Sequence, residues 1–189
     1  LLKRMKHFRV AVLANLKKNA PHWDGMPEDI WSDLDSEKTV NAILDAIRAG
    51  GNECEFIEGD IQITEKLPKF KPDICFNFCE GHFGDAREAQ IPAILEMMRI
   101  PYTASKILAL AVALDKPMTK QILSWHELPT PPFQTFERVD EPLDGDLQFP
   151  LFCKPSREGT GMGVSAQSVV HDEKELREQI SQILEHYKQ

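Results

Sequence analysis

Short apolar runs alternate with helix-periodic stretches along the first hundred residues. "FRVAVLA" (8–14) is compact and rich in branched side chains, the pattern of a buried strand. A polar stretch from Asn15 to about Leu34 follows, containing Pro21, Gly25 and Pro27. Loops of that length inside a domain are usually functional or mobile. Asp35 or Ser36 can cap the next helix. Val40, Ile43, Leu44 and Ile47 recur at helical spacing, and Gly50–Gly51 end the run. "CEFI" (54–57) and "DICFNF" (73–78) then read as two more strands. Strand, helix, strand, connection, strand implies parallel pairing through crossovers, an α/β layer.

Beyond Glu80 the pattern turns helical. Ile91, Ile94, Leu95 and Met98 mark one helix face, with Pro92 tolerable only near its first turn. "IPYT" is a short extended piece. Ser105 caps an apolar helix over 106–114. Asp115 caps another, with Pro117 in its first turn and Met118, Ile122 and Trp125 along it. "LPTPPF" (128–133) is the clearest boundary, because its prolines block helix and favour extended chain. After it come a strand at "FPLFCK" (149–154), a glycine loop, and a last amphipathic helix. Asp172 and Glu175 open that helix, and Leu176, Ile180, Ile183, Leu184 and Tyr187 line it. The chain thus divides into an N-terminal domain over 1–104, connecting helices over 105–127 and a smaller unit over 128–189.

Charge narrows the range of partners. The 189 residues carry a formal net charge of -8, and no basic run stands out. Nucleic acid and anionic membrane are poor partners for such a surface, and no apolar stretch is long enough to span a bilayer. Cys54, Cys75, Cys79 and Cys153 lie in apolar, strand-like runs and read as buried reduced thiols. That usage suits the cytoplasm. The six histidines form no ligand spacing. Trp23, Trp31 and Trp125 read as packing residues.

The glycine loop is the sharpest chemical feature. "KPSREGTGMGV" runs from Lys154 to Val164. A phosphate loop of the Walker type places its lysine after the last glycine, and here the lysine comes first. The dinucleotide fingerprint needs G-x-G-x-x-G, whereas Gly159, Gly161 and Gly163 give G-x-G-x-G. What remains is a strand-closing lysine and a pliable turn. Glycines let backbone N–H groups approach phosphate oxygens, and the lysine adds a point charge. The residues alone leave open an ordinary glycine-rich hairpin with an exposed lysine.

Taken in order, "REAQIPAILEMMRIPYTAS", "ALDKPMTKQILSWHELPTPPF" and "FPLFCKPSREGTGMGVS" resemble the D-alanine–D-alanine ligase branch of the ATP-grasp superfamily. The family shows I-P-Y-T-G-S, then D-K-x-x-T-K, L-P-T-P and K-P-S-x-E-G-S-S-x-G in the same order. The resemblance covers roughly residues 73–180. It implies a Rossmann-like parallel-sheet domain followed by part of an ATP-grasp domain of α+β type. It also implies ATP-dependent ligation of a carboxylate to an amine through an acyl phosphate, with Mg2+, as in peptidoglycan (cell-wall) biosynthesis. The substrates would be small amino acids or peptides, and family members commonly pair as homodimers through their N-terminal domains. By this resemblance Lys116 reaches ATP phosphates and Lys154 holds the nucleotide beside a flap. Glu158, Gly159, Thr160, Gly161, Met162 and Gly163 are that flap, whose backbone covers the phosphates. Thr160 matches a catalytic flap serine that orients the site.

The match departs from the family at three places. The family's G-G-x-S-x-E after the first strand, whose glutamate meets the first substrate's amino group, is replaced by "ANLKKN" (14–19). The family's H-G is Glu80–Gly81, which reverses a local charge preference, and the flap's S-S is Thr160–Gly161. ATP-binding motifs are therefore present where D-alanine-recognition motifs are not. Glu80 and Arg87 become candidates for a different substrate. The family's metal ligands, and an arginine that stabilises the transferring phosphate, belong to a further domain expected beyond Gln189. The chain accordingly reads as a fragment without a metal site, inactive in ligation by itself. The alternatives are another ATP-grasp ligase or a non-catalytic nucleotide-binding module.

Overall fold

The computed structural model describes residues 7–187. The described chain separates into two compact units. The first holds the chain up to Pro21 together with Asp33–Ala111, and the second holds His22–Ser32 together with the chain from Val112 onward.

The first unit is built on three parallel strands: β1 (Arg9–Ala14), β2 (Glu53–Glu58) and β3 (Ile74–Asn77), in the order β2-β1-β3. Val12 pairs with Phe56 on one side and Phe76 on the other. Both faces of β1 are buried, which explains its unbroken apolar run. Ala11 and Leu13 pack with Ile63, Leu67 and Phe70 of α2 (Ile63–Phe70) and with Ile91 and Leu95 of α3 (Gln90–Met97). Val12 and Ala14 point the other way, onto Val40 and Leu44 of α1 (Glu37–Ala49). Ser36 caps α1 by accepting the Thr39 N–H, and Gly51 closes it at a φ of 81°.

Helix α2 is the connection that the sequence reading left without an element. Its buried residues fall at i, i+4 and i+7, and Pro68 inside the helix gives up one backbone donor. "IPYT" forms a single parallel bridge on the outer edge of β3, from Cys75 to Tyr102.

In the second unit, Asp115 caps α5 (Lys116–Trp125) by accepting the Met118 N–H, just after α4 (Ile107–Leu114). The expected strand at 149–154 shrinks to β4 (Leu151–Phe152). It pairs antiparallel with β5 (Val169–Val170). Val170 packs with Leu176 and Ile180 of α6 (Glu173–His186), and Phe136, Val139, Phe149 and Leu184 close around them. At the head of α6, Asp172 accepts the Glu175 N–H while the Glu175 carboxylate accepts the His171 N–H. Trp31 is buried, as a packing residue should be. Trp125 is 84% exposed, because the α5 face carrying Met118 and Ile122 also meets solvent.

Candidate nucleotide and substrate sites

The polar chemistry of the first unit collects at the carboxyl ends of its strands. In this 2-1-3 sheet the chain leaving β1 enters α1 on one face and the chain leaving β3 enters α3 on the other, the switch point at which open α/β sheets generally take ligands. Asn15, only 1% exposed, ties the three strand ends together. Its side-chain amide donates to Gly59 O at 2.9 Å, and its Oδ1 accepts the Gly81 N–H at 2.8 Å. Glu58, at the end of β2, accepts the Leu16 N–H and the Asn19 side-chain amide. An acid therefore does reach the turn after β1, but it comes from β2 and both its oxygens are engaged in holding that turn.

Glu80 and Arg87, singled out above, both lie in this region. Arg87 is buried and its Nη2 sits 3.4 Å from Asp33 Oδ2, both side chains being less than a tenth exposed. Asp33 Oδ1 is also buried and, among the described residues, accepts no hydrogen bond. Burial, then the neighbouring Glu88 and Asp33 charges, push the Glu80 carboxyl up to about 7, with Arg87 opposing and Asp35 adding to the rise. A carboxyl titrating there can donate as well as accept near neutrality, so the charge reversal expected from replacing an imidazole is muted. Burial holds His82 below its ordinary value against the pull of Glu58, Asp33 and Asp60. Burial raises Cys79 strongly and Cys75 to about 12, which keeps both as thiols.

The glycine loop and the candidate lysines lie in the second unit. The loop folds as two successive turns, with Met162 N–H donating to Gly159 O and Val164 N–H to Gly161 O. Thr160 takes a φ of 50° and Gly161 one of 77°, so the chain reverses at this pair. Met162 is 2% exposed and anchors the loop inward. Gly163 donates to Asp29. The N–H groups of Gly159, Thr160 and Gly161 make no hydrogen bond among the described residues. These three successive donors sit on the exposed or half-buried tip.

Lys116 does not reach into open space. Its ammonium donates to Ser156 O at 3.4 Å and to Glu158 O, and its backbone N–H also donates to Ser156 O. Asp115 pairs with Arg157 at 2.9 Å. Burial pushes the Asp115 carboxyl upward, but the Met118 N–H, Arg157 and Lys116 prevail and hold it below the usual carboxylate range. Lys154 is exposed. Lys120 donates to Thr130 Oγ1 and Pro131 O, both at 2.7 Å, and lies 5.0 Å from the Phe133 ring centre. Burial, and after it the Lys154 charge, lower the Lys120 ammonium. Phe152 is 55% exposed beside them in sequence.

Glu158 to Gly163, Lys116 and Lys154 are thus gathered in one unit, and Glu80 with Arg87 in the other. The sequence reading missed Asn15, Glu58, Asp29 and Asp33. Their partners lie 39 or more residues away, or are backbone groups that no side-chain pattern reveals. Among the described residues no three His, Cys, Asp or Glu side chains gather as a metal-ligand group.

No protein-family model matches the chain. A D-alanine–D-alanine ligase of Syntrophotalea carbinolica is 34% identical over 151 residues, covering 80% of this chain and 48% of that protein. Two crystal structures of the Bacillus anthracis D-alanine–D-alanine ligase, one of them complexed with ATP, superpose with TM-scores of 0.66 and 0.60. They are 22% identical and cover 94% of this chain and 54–55% of theirs. The chain spans about half the length of the relatives it matches. In sequence and in its α/β fold, the chain is D-alanine–D-alanine-ligase-like over about half of such a protein.

Proposed function

We propose that the chain carries the nucleotide grip and the substrate crevice of an ATP-dependent carboxylate–amine ligase. One observation carries the reading: three adjacent backbone N–H groups, at Gly159, Thr160 and Gly161, stand unengaged among the described residues on a glycine turn that Lys154 precedes in sequence and Lys116 braces. Such a nest suits phosphate oxygens. The ATP bound by the Bacillus anthracis ligase supports the choice of nucleotide. In the proposed reaction a substrate carboxylate takes the terminal phosphoryl group and becomes an acyl phosphate. An amine then displaces phosphate and forms the amide.

The chain's residues have positioning and charge-neutralising parts in this scheme. The tip N–H groups and Lys154 bear on the phosphates, Thr160 orients the tip, and Lys116 braces the loop through its carbonyls.

For the carboxylate–amine partner, Glu80 and the buried Asp33 Oδ1, which accepts no hydrogen bond among the described residues, offer acceptors, with Arg87 paired to Asp33. That arrangement favours an amino acid or peptide with its own hydrogen-bond donors, and it leaves the choice between D-alanine and another such substrate to experiment. Assembly as a homodimer in the cytoplasm belongs to the same proposal. ADP release from the complete protein, screened over amino-acid and dipeptide pairs, tests it. Turnover with one pair and its loss in Lys154→Ala is expected. Turnover undiminished in Lys154→Ala would refute the assigned grip.

A further inference from the structure

The glycine loop is fastened at both feet, and the two fastenings differ in kind. The first foot, Ser156–Glu158, is held by backbone carbonyls and by Arg157 against the start of α5. The second ends on a carboxylate from a distant part of the sequence. Asp29 Oδ2 accepts the Gly163 N–H at 2.8 Å, across 134 residues, while its Oδ1 accepts the Tyr187 hydroxyl at 2.5 Å. We infer that Asp29 is a positioning residue for the flap, setting the direction in which the Gly159–Gly161 N–H groups point.

Several independent features support this role. The segment bearing Asp29 is itself braced: Ser32 N–H donates to Asp29 O, Ile30 N–H to Pro27 O, and the Trp23 and Trp31 rings meet edge-on at 5.8 Å. Tyr187 is buried at the end of α6, where burial and then the Asp29 charge raise its phenol, so it stays protonated and can donate. The approach also needs the glycine. A Cβ on Gly163 would lie 2.5 Å from Pro155 Cγ and 3.0 Å from Tyr187 Cε2, at a φ of 69°. Because Asp29 holds the Gly163 N–H, and turn carbonyls hold those of Met162 and Val164, the tip alone is left to meet an anion.

The consequence for phosphate rests on the nucleotide reading above. The role in holding the loop does not. The test uses the whole 189-residue chain with Asp29→Ala, Asp29→Asn and Tyr187→Phe. Amide exchange by NMR is read first without nucleotide, and ATP is then titrated. In Asp29→Ala, the amides of 162–164 should exchange about 10- to 100-fold faster, the range expected for losing a charge-assisted hydrogen bond. The amides of 176–184 in α6 should be unchanged, and ATP affinity should fall about tenfold. Asp29→Asn keeps one acceptor oxygen and should fall between parent and alanine, and Tyr187→Phe should show the smallest change. Parental exchange at 162–164 in Asp29→Ala would overturn the inference. So would an equal rise throughout α6, which would make Asp29 a general brace. If the parent chain binds no ATP, the nucleotide reading fails while the exchange comparison still decides the role of Asp29.

Discussion

Replacing Glu80 by Gln should flatten a specific part of the pH dependence of folding. Burial and the Glu88 and Asp33 charges displace this carboxyl from 4.5 to about 7. Below its ordinary value the group is protonated whether folded or unfolded, and nothing is lost. Between there and about 7 the unfolded chain releases the proton that the folded chain keeps, so stability falls as pH rises. Each pH unit of displacement is worth about 1.4 kcal/mol, for an upper bound of about 3.5 kcal/mol. Partial solvent contact screens the charge and reduces the expected effect to roughly 1–2 kcal/mol. His82 works in the opposite sense. Its folded value lies below the ordinary 6.5, so the unfolded chain takes up the proton more readily and the contribution of His82 rises with pH toward 6.5. The difference between Glu80→Gln and parent cancels the His82 part. Urea denaturation of both chains at about pH 5 and about pH 8 should therefore show the variant gaining roughly 1–2 kcal/mol on the parent between the two conditions. An equal difference at both pH values would refute the argument.

Three further outcomes follow from the same geometry. Asp33→Asn removes the carboxylate charge 3.4 Å from the buried Arg87 guanidinium and should cost about 1.5–3 kcal/mol, read as a lower urea midpoint. Gly81→Ala combines a φ of 75° with a Cβ 2.7 Å from Arg87 O, and should cost at least about 2 kcal/mol in the same assay. Trp125→Ala, at an exposed position, should leave stability within about 0.5 kcal/mol of the parent.

The sheet was legible because both periodicities are clean. Val10 to Ala14 are buried without interruption, and Val40, Leu44 and their neighbours repeat at helical spacing. Ser36 and Asp115 were readable as caps because capping is a local contact between a side chain and a nearby N–H. Helix α2 was less legible, since Pro68 and the charged residues around it mask a short apolar stripe. The strand at 149–154 was overestimated, because most of that segment packs through side chains such as Phe149 and Cys153 without a partner strand. Trp125 misled for another reason: an aromatic residue at helical spacing looks like core whether or not anything covers it.

The glycine motif located the loop, yet it could not say which of its N–H groups are free. That depends on Asp29 and on turn carbonyls brought in by tertiary structure. Likewise, the charge state of Glu80 depends on Asp33, Asp35 and Glu88 standing near it, which spacing along the chain does not encode.

The central claim is that the tip of the glycine loop grips nucleotide phosphate. The most direct measurement is an ATP titration of the isotopically labelled chain, following the backbone amides by NMR. The account predicts progressive shifts at Gly159, Thr160 and Gly161, much smaller ones at Met162 to Val164, and a weaker response throughout in Lys154→Ala. Saturable ATP binding that leaves the 159–161 amides unmoved would contradict it.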